Sequence, residues 1–137
     1  MSTNAPIADR IEIADLFSRF ARLLDEKRWE EADTVFTADV TGRSPRSGAI
    51  HGLDGLVGFM RQAEVEGEHT QHVTTDLLVD VDGDRAAATA NSLVYFYRSG
   101  RPPHLSSGLR LACTAARTPA GWRLREVRTA VAWTHER

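Results

Sequence analysis

The chain has 137 residues, 42% of them hydrophobic and 26% charged, the balance of one soluble globular domain (residues 1–137) with enough apolar surface to bury a core. A formal net charge of -2 offers no electrostatic footprint for nucleic acid or an anionic membrane, so neither is an expected partner. The single cysteine, Cys113, excludes an internal disulfide and a thiolate metal cluster, and its neighbours Leu111, Ala112 and Ala115 mark it as a buried, inert thiol.

The N-terminal Met1–Pro6 lacks the basic stretch and apolar core of a signal peptide, and no apolar run approaches the roughly 18–20 residues of a membrane span. A cytoplasmic setting is therefore the default. From Pro6 to about Asp25 the apolar residues Ile13, Leu16, Phe17, Phe20, Leu23 and Leu24 fall at helical spacing, with Asp9 complementing the positive helix end. Lys27 to Glu31 opens a second short helix with Trp29, Ala32, Val35 and Phe36 inward, making a helical hairpin with a tight turn at Glu26-Lys27. Val40 to Ser47 reads as a short extended segment and Gly48 to Gly52 as a loop. Leu53 to about Ala63 gives a third helix, weakened by Gly55 and Gly58.

From Thr70 onward the pattern becomes extended. Val73 to Val81 runs into the hairpin turn Asp82-Gly83-Asp84, and Ala86 to Arg98 returns as a long strand. Ser107 to Arg117 and Trp122 to Trp133 follow, joined by the turn Thr118-Pro119-Ala120-Gly121. Helices first and a hairpin-linked meander afterwards predict an α+β fold with a mixed, mostly antiparallel sheet. No Walker loop, GxGxxG, GxSxG or HExxH pattern is present, so no cofactor or metal is expected. An Asp and a His at long separation, without a third ligand at helical or hairpin spacing, fall short of a transition-metal set.

Five local motifs in this order resemble the SnoaL-like branch of the nuclear transport factor 2-like (NTF2-like, cystatin-like) superfamily over nearly the whole chain. They are Leu24-Asp25-Glu26-Lys27-Arg28-Trp29, Val35-Phe36-Thr37-Ala38-Asp39, Thr70-Gln71-His72, Val81-Asp82-Gly83-Asp84 and Gly121-Trp122-Arg123-Leu124. The resemblance implies a cone-shaped curved sheet wrapped by three N-terminal helices around an apolar pocket, and a homodimer formed through the outer sheet face. It is strongest to scytalone dehydratase-like proteins and bacterial polyketide cyclases, whose aspartate at the end of the first helix and histidine after Thr-Gln match Asp25 and His72. The chain also departs from its relatives. Phe20 and Leu24 stand where the dehydratases and ketosteroid isomerases use a tyrosine, and the isomerases' first-strand carboxylate is replaced by Thr41-Gly42-Arg43-Ser44. Their second acid, on the strand around Leu109 to Ala115, is missing, so the resemblance does not imply an isomerase mechanism of that kind.

Histidine titrates near neutrality, and a neighbouring carboxylate fixes its tautomer, so His72 is the candidate general base and Asp25 its orienting partner. Phe20 is a candidate pocket residue. Matching the long strand to the family pattern favours Asn91, Tyr95 and Tyr97 as pocket-facing, with Tyr97 a hydrogen-bond donor to substrate. Arg110, Glu126 and Arg128 interrupt apolar strands. Counting by two from Trp122, Glu126 and Arg128 form either an ion pair inside the cavity or part of a solvated or dimer surface. The reading is a cofactor-independent dehydratase, cyclase or isomerase acting on a small hydrophobic, oxygenated, polyketide-like substrate. The alternative is a non-catalytic ligand-binding or assembly domain of the same fold.

Overall fold

Residues 4–137 are described in a computed structural model of the chain; Met1–Thr3, the start of the segment read as no signal peptide, lie outside the described residues. Helix α1, Asn4–Glu26, buries Ile13, Leu16, Phe17 and Leu23. It stops at Lys27, whose φ of 55° is a left-handed turn, and the Arg28 N–H closes back onto the Leu23 carbonyl at 3.1 Å. This is the Schellman pattern, which satisfies carbonyls that a helix end leaves without partners. The expected second helix is a six-residue 3-10 helix, Trp29–Thr34, burying Trp29 and Ala32. The third, α2, spans Leu53–Gln62.

The strands are β1 (Phe36–Ser44), β2 (Gly48–His51), β3 (Glu68–Asp82), β4 (Arg85–Arg98), β5 (Leu105–Thr118) and β6 (Gly121–Glu136). They form one six-stranded sheet in the order β2-β1-β6-β5-β4-β3, antiparallel except where β1 runs parallel to β6. The hairpin meander β3–β6 follows the sequence reading, with every strand longer than the pattern predicted. Two segments differ. Gly48 to His51 is strand β2 rather than loop, because the turn after Ser44 and a positive φ at Gly48 fold it back against β1. Phe36 belongs to β1, where it pairs with Leu124, and not to the helical hairpin.

Three register shifts decide which side chains point inward. In β3 the pairing slips between Thr75 and Leu78, where Asp76 takes a φ of 55°. In β6 one extra residue enters after Leu124 and another after Val131. Each extra residue moves the following side chains to the opposite face. Trp122, Leu124, Val127 and Thr129 therefore all face the interior, while Glu126 and Arg128 face outward.

The core holds Trp122, Phe36, Ile13, Leu124, Val35 and Val40, all essentially inaccessible to solvent. Each large side chain removed from water contributes on the order of 1.5–3 kcal/mol. Polar contacts pin α1 across this core. Asp9 accepts from Arg117 Nη2 at 2.9 Å and from Trp122 Nε1 at 3.1 Å, and Glu12 accepts the Trp122 backbone N–H at 2.6 Å. Asp9 thus serves the sheet, not the helix end that the sequence assigned to it. The Arg117 guanidinium also lies 4.7 Å from the centre of the Trp122 ring.

Candidate active site

Asp25 sits in the last turn of α1, where no basic side chain balances the negative end of the helix dipole. A carboxylate there costs stability unless donors meet it, and β3 supplies three. Thr70 Oγ1 donates to Oδ1 at 3.0 Å, the His72 backbone N–H to Oδ2 at 2.9 Å, and His72 Nδ1 bonds Oδ1 at 2.6 Å. Both side chains are mostly shielded, His72 at 15% exposure and Asp25 at 21%. An ionised carboxylate can only accept, so Nδ1 donates to it, and in the neutral imidazole Nε2 is left as an acceptor. The approach of α1 to β3 is what brings the two residues together across 47 positions of sequence.

His72 lines a small, mostly apolar chamber of about 70 Å³ on the inner sheet face, walled by Phe17, Phe20, Leu24, Leu109 and Leu111. Three hydroxyl side chains, Thr74, Ser92 and Thr129, also border it. A second apolar chamber of about 140 Å³ adjoins it, reaching Ile50, Leu56, Phe59 and Met60 of β2 and α2. Phe20, Leu24 and Thr129 belong to both walls, and Phe20 is braced edge-on against Phe36 at 5.2 Å. A larger groove of about 350 Å³ between α1 and the 3-10 helix is lined by Asp15, Arg19, Arg22 and Arg28 and does not include His72.

Residues 5–128 match the SnoaL-like domain. The chain belongs to the SnoaL-like family. An uncharacterized protein of Mycobacterium tuberculosis is 32% identical over 133 residues, covering 90% of this chain and 86% of its own. Among solved structures, an NTF2-like protein with a cystatin-like fold from Novosphingobium aromaticivorans is 27% identical with a TM-score of 0.77, covering 93% of this chain and 84% of that one. The hexachlorocyclohexane dehydrochlorinase LinA-type3 from Novosphingobium barchaimii superposes with a TM-score of 0.87 at 14% identity, over 99% of this chain and 94% of that one. A putative scytalone dehydratase from N. aromaticivorans gives 0.86 at 14% identity, over 99% and 92%. This SnoaL-like protein therefore has the NTF2-like fold.

Not every candidate residue of this SnoaL-like protein meets in the cavity. Phe20 does. Asn91, Tyr95 and Tyr97 do not: β4 turns Ala86, Ala88, Ala90, Ser92 and Val94 inward, so the set expected in the pocket lies on the outer face. The inner face carries small residues because Ile13, Leu16 and Phe17 of α1 fill the same core cluster. Arg110 and Arg128 also lie outside, around a depression of about 370 Å³ shared with Arg43, Asp76 and Asn91. Glu126 and Arg128 approach to 3.9 Å, but as an exposed pair. Among the described residues no group of three His, Cys, Asp or Glu side chains could hold a metal. No helix there is long and apolar enough to cross a membrane. His69 bonds Ser99 at 3.1 Å and lies beside Tyr97, on the face opposite to His72. The sequence reading missed Thr74, Ser92 and Thr129. Alternation from His72 would have found Thr74, but the other two needed the register.

Proposed function

We propose that this SnoaL-like protein is a cofactor-independent acid-base enzyme acting on a small, hydrophobic, oxygenated substrate. The observation that carries the reading is the Asp25–His72 pair, whose histidine lines an apolar chamber. Neutral Nε2 takes a proton from a carbon beside a carbonyl or from a hydroxyl, and the resulting imidazolium returns it to a departing hydroxyl, which leaves as water, or to another carbon. Asp25 stays ionised and stabilises the imidazolium, as carboxylates do in catalytic triads. Dehydration, cyclisation and isomerisation all use these steps. The dehydrochlorinase and putative dehydratase that share the fold are eliminating enzymes by name, which supports the class of reaction.

The test is turnover of a panel of phenolic and polyketide-like hydroxycarbonyl compounds, followed by the absorbance of the conjugated product. His72→Ala should lower the rate on any accepted compound by roughly 10²–10⁴-fold, the usual contribution of a general base. Near-normal turnover would return His72 to a structural role. One observation favours a second reading, a non-catalytic binding domain. The His72 chamber, at about 70 Å³, is smaller than the ~150 Å³ cavity that accepts benzene. Under that reading a ligand binds equally well with and without His72, and no compound turns over.

A second copy of the chain is the proposed partner. Leu78, Val73 and Trp133 leave apolar surface exposed on the outer sheet face, Leu78 at 73%. Light scattering should give twice the 15.2 kDa chain mass, and a monomer would reject the pairing.

A further inference from the structure

Among the described residues, Ser92 is the only polar side chain that is almost wholly buried, at 3% exposure. It makes no hydrogen bond to another described residue. Thr37 and Thr114 also have hydroxyls without partners, but theirs are sealed inside the protein. Ser92 borders the chamber that holds His72. Along the inner face of β4 it follows Ala86, Ala88 and Ala90, so at this position the chain adds a hydroxyl to an otherwise alanine stripe. The Ser92 hydroxyl is not sealed in this way and opens onto the chamber, so a group that fills the chamber and displaces water must accept from it or leave it without a partner.

The register fixes where that group must lie. His72 stands opposite Val94 and Thr74 opposite Ser92, so Ser92 is the diagonal inward neighbour of His72. Diagonal neighbours on one sheet face are roughly 7–8 Å apart, which leaves room for two adjacent substrate atoms between the imidazole and the hydroxyl. The chamber is too small for a ring, so only a compact end of the molecule enters it, and the apolar body extends past Phe20 towards Leu56 and Met60.

We propose that Ser92 is the donor that recognises a ketone oxygen, and that the substrate is an enolisable ketone whose α-proton is presented to His72. The proposal rests on the acid-base reading of the same site. Nε2 accepts the α-proton, the C–H electron pair becomes the new C=C bond, and the carbonyl π pair moves to oxygen. That oxygen accepts from Ser92 and, on the same side, from Thr74. Donors aimed at the site of developing charge stabilise it more than they stabilise the ground state.

The open-chain pair hexan-2-one and 2-methylhex-1-ene have nearly the same shape, carry C=O or C=CH₂ beside a compact methyl end, and so serve as probes. Binding is measured by NMR titration and by the infrared stretch of bound ¹³C-labelled ketone. The wild-type protein should prefer the ketone and lower its carbonyl frequency. Ser92→Ala, which matches the neighbouring alanines in size, should weaken the ketone about fivefold, leave the alkene unchanged and raise the frequency again. His72→Gln should keep the preference, which separates recognition from proton transfer. If it does while no variant turns over any compound, the dyad reading fails and the role of Ser92 stands. A wild-type protein without the preference, or Ser92→Ala with the preference intact, would overturn the proposal.

Discussion

Replacing Asp25 by asparagine tests the dyad with the least change in shape. The side chain can sit in two orientations. If its carbonyl takes the Oδ1 position, it still accepts from Thr70 and from His72 Nδ1, but its NH₂ then faces the His72 backbone N–H, two donors with no acceptor between them. A backbone N–H cannot reverse its role, and leaving it unpaired costs about 1–3 kcal/mol. In the other orientation the carbonyl accepts that N–H, while the NH₂ faces two groups that can adapt. The Thr70 hydroxyl can rotate to accept, and His72 can move its proton to Nε2. The second arrangement pairs every group, so it prevails. It also turns Nε2 from a base into a donor. Turnover should fall by roughly 10²–10⁴-fold, the scale expected when a catalytic histidine is locked in the wrong tautomer. Three charge-assisted bonds become neutral ones, and removing the carboxylate relieves its clash with the helix dipole, so the net loss of stability is about 2 kcal/mol. Long-range ¹H–¹⁵N correlation should show Nε2 changing from a bare to a protonated nitrogen, and urea melts give the stability. An Asp25→Asn protein with His72 still protonated on Nδ1 and turnover within about threefold of wild type would refute the reasoning.

Burial pushes the Cys113 thiol up to about 12, so the native protein should not react with a thiol-specific disulfide reagent near neutral pH, and the unfolded protein should react fully. Fast stoichiometric reaction of the folded chain would contradict the assigned packing. Hydrogen bonds from Arg117 and then Trp122 hold Asp9 below the usual carboxylate range. Because its folded pKa is depressed, its contribution to stability is complete above about pH 4 and is lost as pH falls through the folded value. Arg117→Met should therefore be less stable than wild type by a margin that is constant above about pH 4 and narrows as pH falls below it in urea melts. A margin independent of pH would remove Asp9 from the account.

The helix stripe, the hairpin turns and the meeting of Asp25 with His72 could all be read from the sequence, because each depends on local spacing or on a motif. The faces of the later strands could not. Glu126 and Arg128 continue the period-2 count from Trp122, yet the residue inserted after Leu124 sends them outward and brings Val127 and Thr129 in. Tyr95 and Tyr97 look like pocket-lining aromatics, but the space over β4 already holds the side chains of α1, so its inner face needs alanine and serine. The same crowding hid Ser92. A serine among alanines and valines gives no signal until the register sets it diagonal to a histidine. Strand β2 was missed because four residues are too few to show alternation, and only the turn geometry reveals it.

The left-handed residue at Asp76, held by Asn91 Nδ2 at 3.0 Å and by Thr75 Oγ1 at 3.1 Å, divides β3 into two lengths that keep separate phase. One carries His72 and Thr74 into the cavity and Thr70 onto Asp25; the other carries Leu77, Val79 and Val81 against the core. The hairpin end of the strand can thus accept changes in core packing without rotating the histidine out of place, and the cavity end can be retuned for a new ligand without reworking the core. For protein engineering, this makes the cavity end of β3 and the facing part of β4 an exchangeable module, with Asp76 as its boundary.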